Sequence, residues 1–146
     1  MQTRTFSSLG AFASFLVRAG AEQLIADEAS RGATAHFLAE EVRDRIGDAD
    51  RLPPPLADST VVERIEAGYS GDETLLRTGA LRDSIGWGHE GPRETIVGST
   101  DEKAPFHEFG TTHTPKRSFL ASTLLEKEDE AFEVYVKTFG VTFRPR

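Results

Sequence analysis

The amino-acid sequence predicts an α+β domain, in which a small antiparallel β-sheet packs against a long C-terminal helix and N-terminal helices. Apolar residues recur at helical spacing near both ends of the chain, as in helices with one buried face. Two short runs near the middle, Ile85–His89 and Glu94–Gly98, instead have the composition of strands. Residues 1–146 fit a single domain, because a chain of this size can bury a sizeable core without disulfides or metals.

The N-terminal third is predicted to be helical after a flexible arm formed by residues 1–8. Ser7 or Ser8 can cap a helix that extends to about residue 30. Gly32 either ends this helix before a second one over Ala35–Gly47, or only kinks one long helix. The first part carries an apolar stripe at helical spacing, made of Phe12, Phe15, Leu16 and Ala19.

Within this first helix, the run GAFASFLV resembles the apolar part of a signal peptide. It is only eight residues long, and Arg18 and Glu22 follow it closely, which favours an amphipathic helix of a soluble protein. No uninterrupted apolar run approaches the roughly 20 residues that a membrane helix needs. We therefore expect no membrane partner.

Turns and short elements fill the middle of the chain. The three consecutive prolines 53–55 cannot continue a helix, so residues 51–58 are interpreted as a stiff, Pro-rich spacer within the domain. Asp58 or Ser59 is expected to start a short helix, and Thr78 to cap another one. The two strand-like runs then form a hairpin around the turn Glu90–Arg93.

The C-terminal region is predicted to contain the longest amphipathic helix, from Ser118 to about Lys137. Gly140 is expected to stop this helix, and Val141–Phe143 to add a final strand to the sheet. The apolar face of the helix is formed by Leu120, Leu124, Phe132, Tyr135, Val136 and Phe139.

The least ordinary stretch is Lys103–Leu120, which places three aromatic residues among glycine, proline and a basic pair. Pro105 suits the first turn of a short helix that Gly110 would end. Phe106 and Phe109 are three residues apart and so share a face. The structural anchors predicted for this aromatic turn, to the core or to a neighbouring subunit, are Phe106, Phe109, Gly110 and Phe119.

A polar tip and a basic pair follow the aromatic turn. Short polar side chains of this kind have little burial of their own to hold them in place. The basic pair, on an otherwise acidic protein, can meet carboxylates of a neighbouring subunit. The predicted partner-contacting residues are therefore Thr111, Thr112, His113, Thr114, Lys116 and Arg117.

The charge and cysteine content restrict the function. A net charge of −7 repels the phosphate backbone, so we expect no sequence-specific or tight nonspecific nucleic-acid binding. The sequence has no cysteine, which removes disulfides, thiol nucleophiles and thiolate zinc sites from consideration. That composition agrees with synthesis in a reducing cytoplasm.

Two motif-like patterns have ordinary interpretations. Residues 86–91 match GxGxxG, but Pro92 and a strand follow where a dinucleotide site needs a helix. The glycines are interpreted as easing strand twist and leaving room for Trp87. His107, Glu108 and His113 do not have the spacing of an HExxH metal site. We expect no catalytic residue, metal or cofactor.

Three stretches carry a resemblance to a known family. Leu76–Ile85 reads LRTGALRDSI, Val97–Thr100 reads VGST, and Ala104–Thr111 reads APFHEFGT. The last stretch precedes a predicted helix start that contains basic residues, a phenylalanine and a leucine. In this order and spacing, over about Leu75–Leu124, the chain resembles the neck and tail-completion proteins of tailed bacteriophages. These are also described as head–tail joining or virion-morphogenesis proteins.

The resemblance implies a structural virion protein of the head–tail connection, acting as a tail-completion, tail-terminator or neck-ring subunit. Its partners would be further copies of itself, in a ring expected to be a hexamer, together with tail-tube and head–tail connector proteins. Its location would be the virion, after synthesis in the bacterial cytoplasm. The alternative is a small enzyme or ligand-binding protein that uses the region of Trp87, His89 and His107.

Overall fold

A computed structural model describes residues 4–142 and confirms the α+β class. In chain order the elements are α1 (Leu9–Arg45), α2 (Asp58–Glu66), α3 (Ala80–Asp83), β1 (Ile85–His89), β2 (Thr95–Ser99), α4 (Ala104–Phe109), α5 (Leu120–Glu126) and α6 (Glu128–Thr142). The first three residues and the last four lie outside the described part. The arm predicted over residues 1–8 is thus described only from Arg4 onward, where it has no regular structure before α1.

One continuous helix, α1, forms the N-terminal third of the domain. Ser8 caps it, because its Oγ accepts a hydrogen bond of 3.1 Å from the N–H of Ala11. The helix continues through Gly32, so the alternative with two separate helices is wrong. Gly32 is buried beneath the hairpin, and a Cβ there would lie 3.3 Å from Trp87 Cη2. This glycine allows the hairpin to approach the helix.

The predicted hairpin is confirmed. β1 and β2 pair in antiparallel register, with Ile85 opposite Ser99 and His89 opposite Thr95. Gly91, with φ of +81°, lies in the connecting turn, where a residue without a Cβ has no steric penalty. A Cβ on Gly86 or Gly88 would meet no atom within 4 Å, so these two glycines do not make the room for Trp87 that the sequence suggested.

The C-terminal region differs from its prediction in two ways. The long helix is divided at Lys127 into α5 and α6, and α6 continues past Gly140 to Thr142. The final strand predicted over Val141–Phe143 is therefore wrong for its first two residues, while Phe143 lies outside the described residues. Over residues 4–142 the sheet has two strands.

Helix α6 runs antiparallel to α1. Near its start, Lys127 Nζ lies 3.4 Å from Glu41 Oε2. Two turns later, the Tyr135 hydroxyl donates a hydrogen bond of 2.6 Å to Asp27 Oδ1. The C-terminal half of α1 is thus covered by α5, α6 and the hairpin. These elements enclose a small core made of Ala39, Val42, Ile46, Leu52, Leu81, Ile85, Ala104 and Phe119.

The N-terminal half of α1 is apolar but poorly covered. One 18-residue window of this helix has a mean hydropathy of 1.2, and only 6% of that window is buried. By length and composition alone, the helix could cross a membrane. The apolar run itself is interrupted by Arg18 and Glu22, and the expectation of no membrane partner stays a prediction. Core helices of soluble proteins and N-terminal signal sequences share this composition, so it does not assign α1 to a membrane.

Candidate functional site

The aromatic turn is built around the carboxylate of Glu108, which is 6% exposed. Its Oε1 accepts hydrogen bonds from Ser118 Oγ (2.6 Å) and Ala121 N (3.0 Å). Its Oε2 accepts from the N–H groups of Phe119 and Leu120, both at 2.9 Å. These backbone N–H groups begin α5 and have no partner within that helix. Glu108 of α4 therefore caps α5.

The pKa of Glu108 reflects this arrangement. Burial acts to raise it, but the hydrogen bonds from Ser118 and from the N–H groups at the start of α5 outweigh burial, and the pKa lies below its ordinary value. The carboxylate is charged at neutral pH. Its part in the turn is to hold α4 against α5.

Two of the four predicted anchors lie within the packed structure. Phe119 is fully buried in the core. Gly110 ends α4 with φ of +76°, and a Cβ on it would lie 2.9 Å from the backbone N of Lys116. Any other residue there meets both the left-handed backbone and this close approach.

The other two predicted anchors, Phe106 and Phe109, are 54% and 76% exposed. The prediction that they attach the turn to this chain's own core is therefore wrong. The reason is helical geometry, since Ala104 and Glu108, four residues apart, occupy the inward face of α4. Contact with a neighbouring subunit remains a prediction for both phenylalanines.

Arg117 corrects the predicted partner-contacting set. It is 7% exposed, and its Nε and one terminal nitrogen donate to the carbonyl oxygens of Pro54 (2.9 Å) and Pro55 (3.0 Å). Its backbone N–H donates to His107 O at 2.8 Å. Arg117 thus fixes the Pro-rich spacer to the aromatic turn, and its expected exposure on the loop is wrong, while contact with a partner stays a prediction.

The rest of the predicted contact loop is a small turn held by its own hydrogen bonds. The N–H of Thr111 donates to Thr114 O at 2.8 Å, and Thr111 Oγ1 accepts from the N–H groups of His113 and Thr114. Thr111, Thr112, His113 and Lys116 are exposed, and Thr114 is half-buried. The loop therefore projects as a shaped surface, and its contact with a partner stays a prediction.

A cleft of about 560 Å³ lies between this loop, α2, α4 and the segment 75–81. Two of the three sequence stretches with family resemblance, residues 76–85 and 104–111, meet here. Four cationic side chains line the cleft together with one carboxylate, that of Asp101. The four are Arg64, Arg77, Lys103 and Arg117. This is a local excess of positive charge on a chain whose net charge is −7.

The inner wall of this cationic cleft contains two buried guanidinium groups. Arg64 is 8% exposed, and its terminal nitrogen donates to Glu73 O at 2.8 Å. Within residues 4–142, neither Arg64 nor Arg117 forms an ion pair. Burial, followed by the charge of Arg64, lowers the pKa of Arg117, although a guanidinium remains charged in proteins. Both positive charges are compensated only by neutral carbonyl groups.

His107 also lines the cationic cleft. Its Nδ1 atom is buried and has no hydrogen-bond partner among the described residues. Burial, and then the charge of Arg117, lower the pKa of His107, while Asp101 opposes this change. The ring is therefore neutral at pH 7.

The alternative site does not form one region. Trp87 and His89 contact each other on β1, with ring centroids 5.7 Å apart, and line a separate shallow depression above Gly32. His107 lines the cationic cleft instead. In the part of the chain that the structure describes, no group of three or more His, Asp or Glu residues has a metal-binding arrangement.

Sequence reasoning missed the roles of Arg64 and Glu108. Arg64 follows Val61 by three residues on α2, so it lies on the helix face that the chain buries. A charged residue on such a face is a detectable signal. The capping role of Glu108 had no local signal, because its partners lie 10 to 13 residues away.

Comparison with known proteins provides no relative, since neither protein-family models, nor curated proteins, nor solved structures match this chain.

Proposed function

We propose that this chain is a non-catalytic structural subunit of the head–tail connection of a tailed bacteriophage. It acts by protein–protein assembly, as a tail-completion, tail-terminator or neck-ring subunit in a homo-oligomeric ring. Support comes from the sequence resemblance and from the apolar surface that the fold leaves bare. Tail-tube and head–tail connector proteins are the proposed neighbours, and the virion is the proposed location.

The observation that carries the proposal is the exposed apolar surface of α1. Five large apolar side chains in its N-terminal half are more than half exposed. They are Leu9 (83%), Leu16 (51%), Val17 (75%), Leu24 (62%) and Ile25 (63%). At 3.6 residues per turn they span about half of the helix circumference, a broad face rather than a narrow stripe. Each such side chain forgoes roughly 1.5–3 kcal/mol while it is exposed.

Helix α6 also exposes apolar side chains. Ala131 and Tyr135 face α1, whereas Phe132 and Val136, on a flank of α6, are 67% and 51% exposed. Because α6 is antiparallel to α1 and contacts Asp27 at Tyr135, the first turns of α1 extend beyond it. Large contiguous apolar patches on a protein surface mark interaction sites, and we propose that these side chains form one.

A second apolar feature lies on a different element, where Phe106 and Phe109 are exposed on α4. A closed ring uses head-to-tail interfaces, in which each subunit presents two different surfaces. The α1/α6 surface and the aromatic side of α4 supply such a pair. The projecting loop Thr111–Thr114 and Lys116 lie beside the second surface.

The test is assembly of particles with a disrupted α1 surface. Val17→Asp with Leu24→Asp places charges on side chains that make no core contact, so the melting temperature should change little. In a complementation assay with a phage that lacks this gene, the yield of joined particles should fall at least tenfold. The matched control is Val62→Asp with Ile96→Asp, two comparably exposed residues on other elements. Normal yields from a well-folded Val17/Leu24 variant would contradict the proposal.

A further inference from the structure

We propose that the cationic cleft is a binding site for an oxyanion, either a carboxylate or a phosphate group. The site goes beyond the assembly role, and only the second arm of its test rests on the proposed function. Its inner wall is formed by Arg64 and Arg117, and its rim by Arg77 and Lys103.

The first argument is the uncompensated charge of the inner wall. Arg64 and Arg117 are each more than nine-tenths buried, and they form no ion pair within the described residues. A buried charge without an opposite charge is strongly unfavourable. The two guanidinium groups also repel each other, since the charge of Arg64 acts on Arg117. An oxyanion between them would remove both costs.

The second argument is the supply of unused donors. A guanidinium group has five N–H donors. The described structure uses one terminal nitrogen of Arg64, for Glu73 O, and two nitrogens of Arg117, for the proline carbonyls. The remaining N–H groups match the paired oxygens of a carboxylate or phosphate, which is the preferred partner of arginine.

The third argument is the positive charge of the residues that surround the inner wall. The Arg77 side chain is half-exposed and forms an ion pair with Glu63, with a distance of 3.2 Å between a terminal nitrogen of Arg77 and Glu63 Oε1. Lys103 is exposed. Both can attract an anion toward the cleft. Asp101 is the only acidic side chain among the described lining residues, so the local charge stays positive. His107 also lines the cleft, and its buried Nδ1 has no hydrogen-bond partner among the described residues.

The cleft favours a single oxyanion over the backbone of a nucleic acid. Its arginines are recessed rather than raised along a surface, and the rest of the chain is acidic. The oxyanion can come from two sources, a free ion or an acidic side chain of an adjacent protein subunit. The experiment has one arm for each source.

In the first arm, the purified protein is titrated with sodium phosphate and with sodium acetate, against sodium chloride at equal ionic strength. Binding should raise the melting temperature saturably and raise the pKa of His107, measured by NMR, because a nearby anion favours the imidazolium. Arg77→Gln with Lys103→Gln should weaken this binding at least tenfold. The matched control, Arg82→Gln with Arg93→Gln, removes two exposed cations outside the cleft. This control should leave anion binding unchanged.

In the second arm, the same variants are compared in particle assembly. Loss of joined particles with the Arg77/Lys103 variant alone, without a response to free anions, assigns the oxyanion to a neighbouring subunit. Arg64→Leu, if it folds, should abolish whichever effect is seen. The proposal is overturned if the Arg77/Lys103 variant matches its control in both arms, a result that leaves the α1 surface and its test untouched.

Discussion

The carboxylate of Glu108 connects two helices that the sequence places on either side of a loop. Phe119 and Gly110 of the same turn have local signals, since a large apolar side chain gains free energy on burial and a glycine commonly ends a helix. Their positions could be predicted. The roles of Glu108 and Arg117 depend on partners distant in sequence, and side-chain hydrogen bonds leave no periodic pattern. For that reason Arg117 was assigned to the surface.

At this scale we expect Glu108→Gln to lower the free energy of unfolding by about 3 kcal/mol, because an amide cannot accept all four hydrogen bonds. The folded-state pKa of Glu108 is depressed, so its contribution is present above the unfolded pKa of about 4.3 and is lost as the pH falls through the folded-state value. Denaturant unfolding between pH 3 and pH 7 measures this dependence.

The control for this measurement is Glu102→Gln, which changes an exposed neighbour of the turn. It should keep the wild-type stability and acid dependence. An equal stability for Glu108→Gln and wild type at pH 7 would show that the carboxylate does not cap α5.

At the scale of elements, the sequence predicted the hairpin, α2, the short α4 and the Ser8 cap, because each has a local signal. It did not decide whether α1 was continuous at Gly32, since a glycine is compatible with a break or with a close contact. The close contact with Trp87 explains why a glycine occupies position 32 within a continuous helix. The division at Lys127 and the continuation past Gly140 also escaped prediction, since a glycine near a helix end is compatible with a stop or with a continued helix.

Gly140 provides the prediction at this scale. A Cβ on this residue would meet no atom within 4 Å, and the residue lies within α6. Gly140→Ala should therefore raise the free energy of unfolding by about 0.5–1 kcal/mol. Thermal or denaturant unfolding measures the change. A loss of stability would indicate instead that Gly140 adopts a left-handed conformation and ends the helix, as its sequence context suggested.

At the scale of the whole molecule, the fold separates a small core from a large uncovered helix. The C-terminal half of α1 is packed by α5, α6 and the hairpin, whereas its N-terminal half exposes a broad apolar face. The α+β class could be predicted from periodicity, but this exposure could not, since periodicity does not show which faces lack a cover. The cationic cleft was hidden for the same reason, as its residues come from four separate segments.

The most direct test of the proposed function is an electron cryo-microscopy reconstruction of the intact phage particle that encodes this chain. We expect a ring of copies at the junction of head and tail, with the N-terminal half of α1 covered by a neighbouring subunit. The aromatic side of α4, with Phe106 and Phe109, should face an adjacent chain. Joined particles that contain no copy of this chain, or a ring in which Leu9–Ile25 stays exposed to solvent, would contradict it.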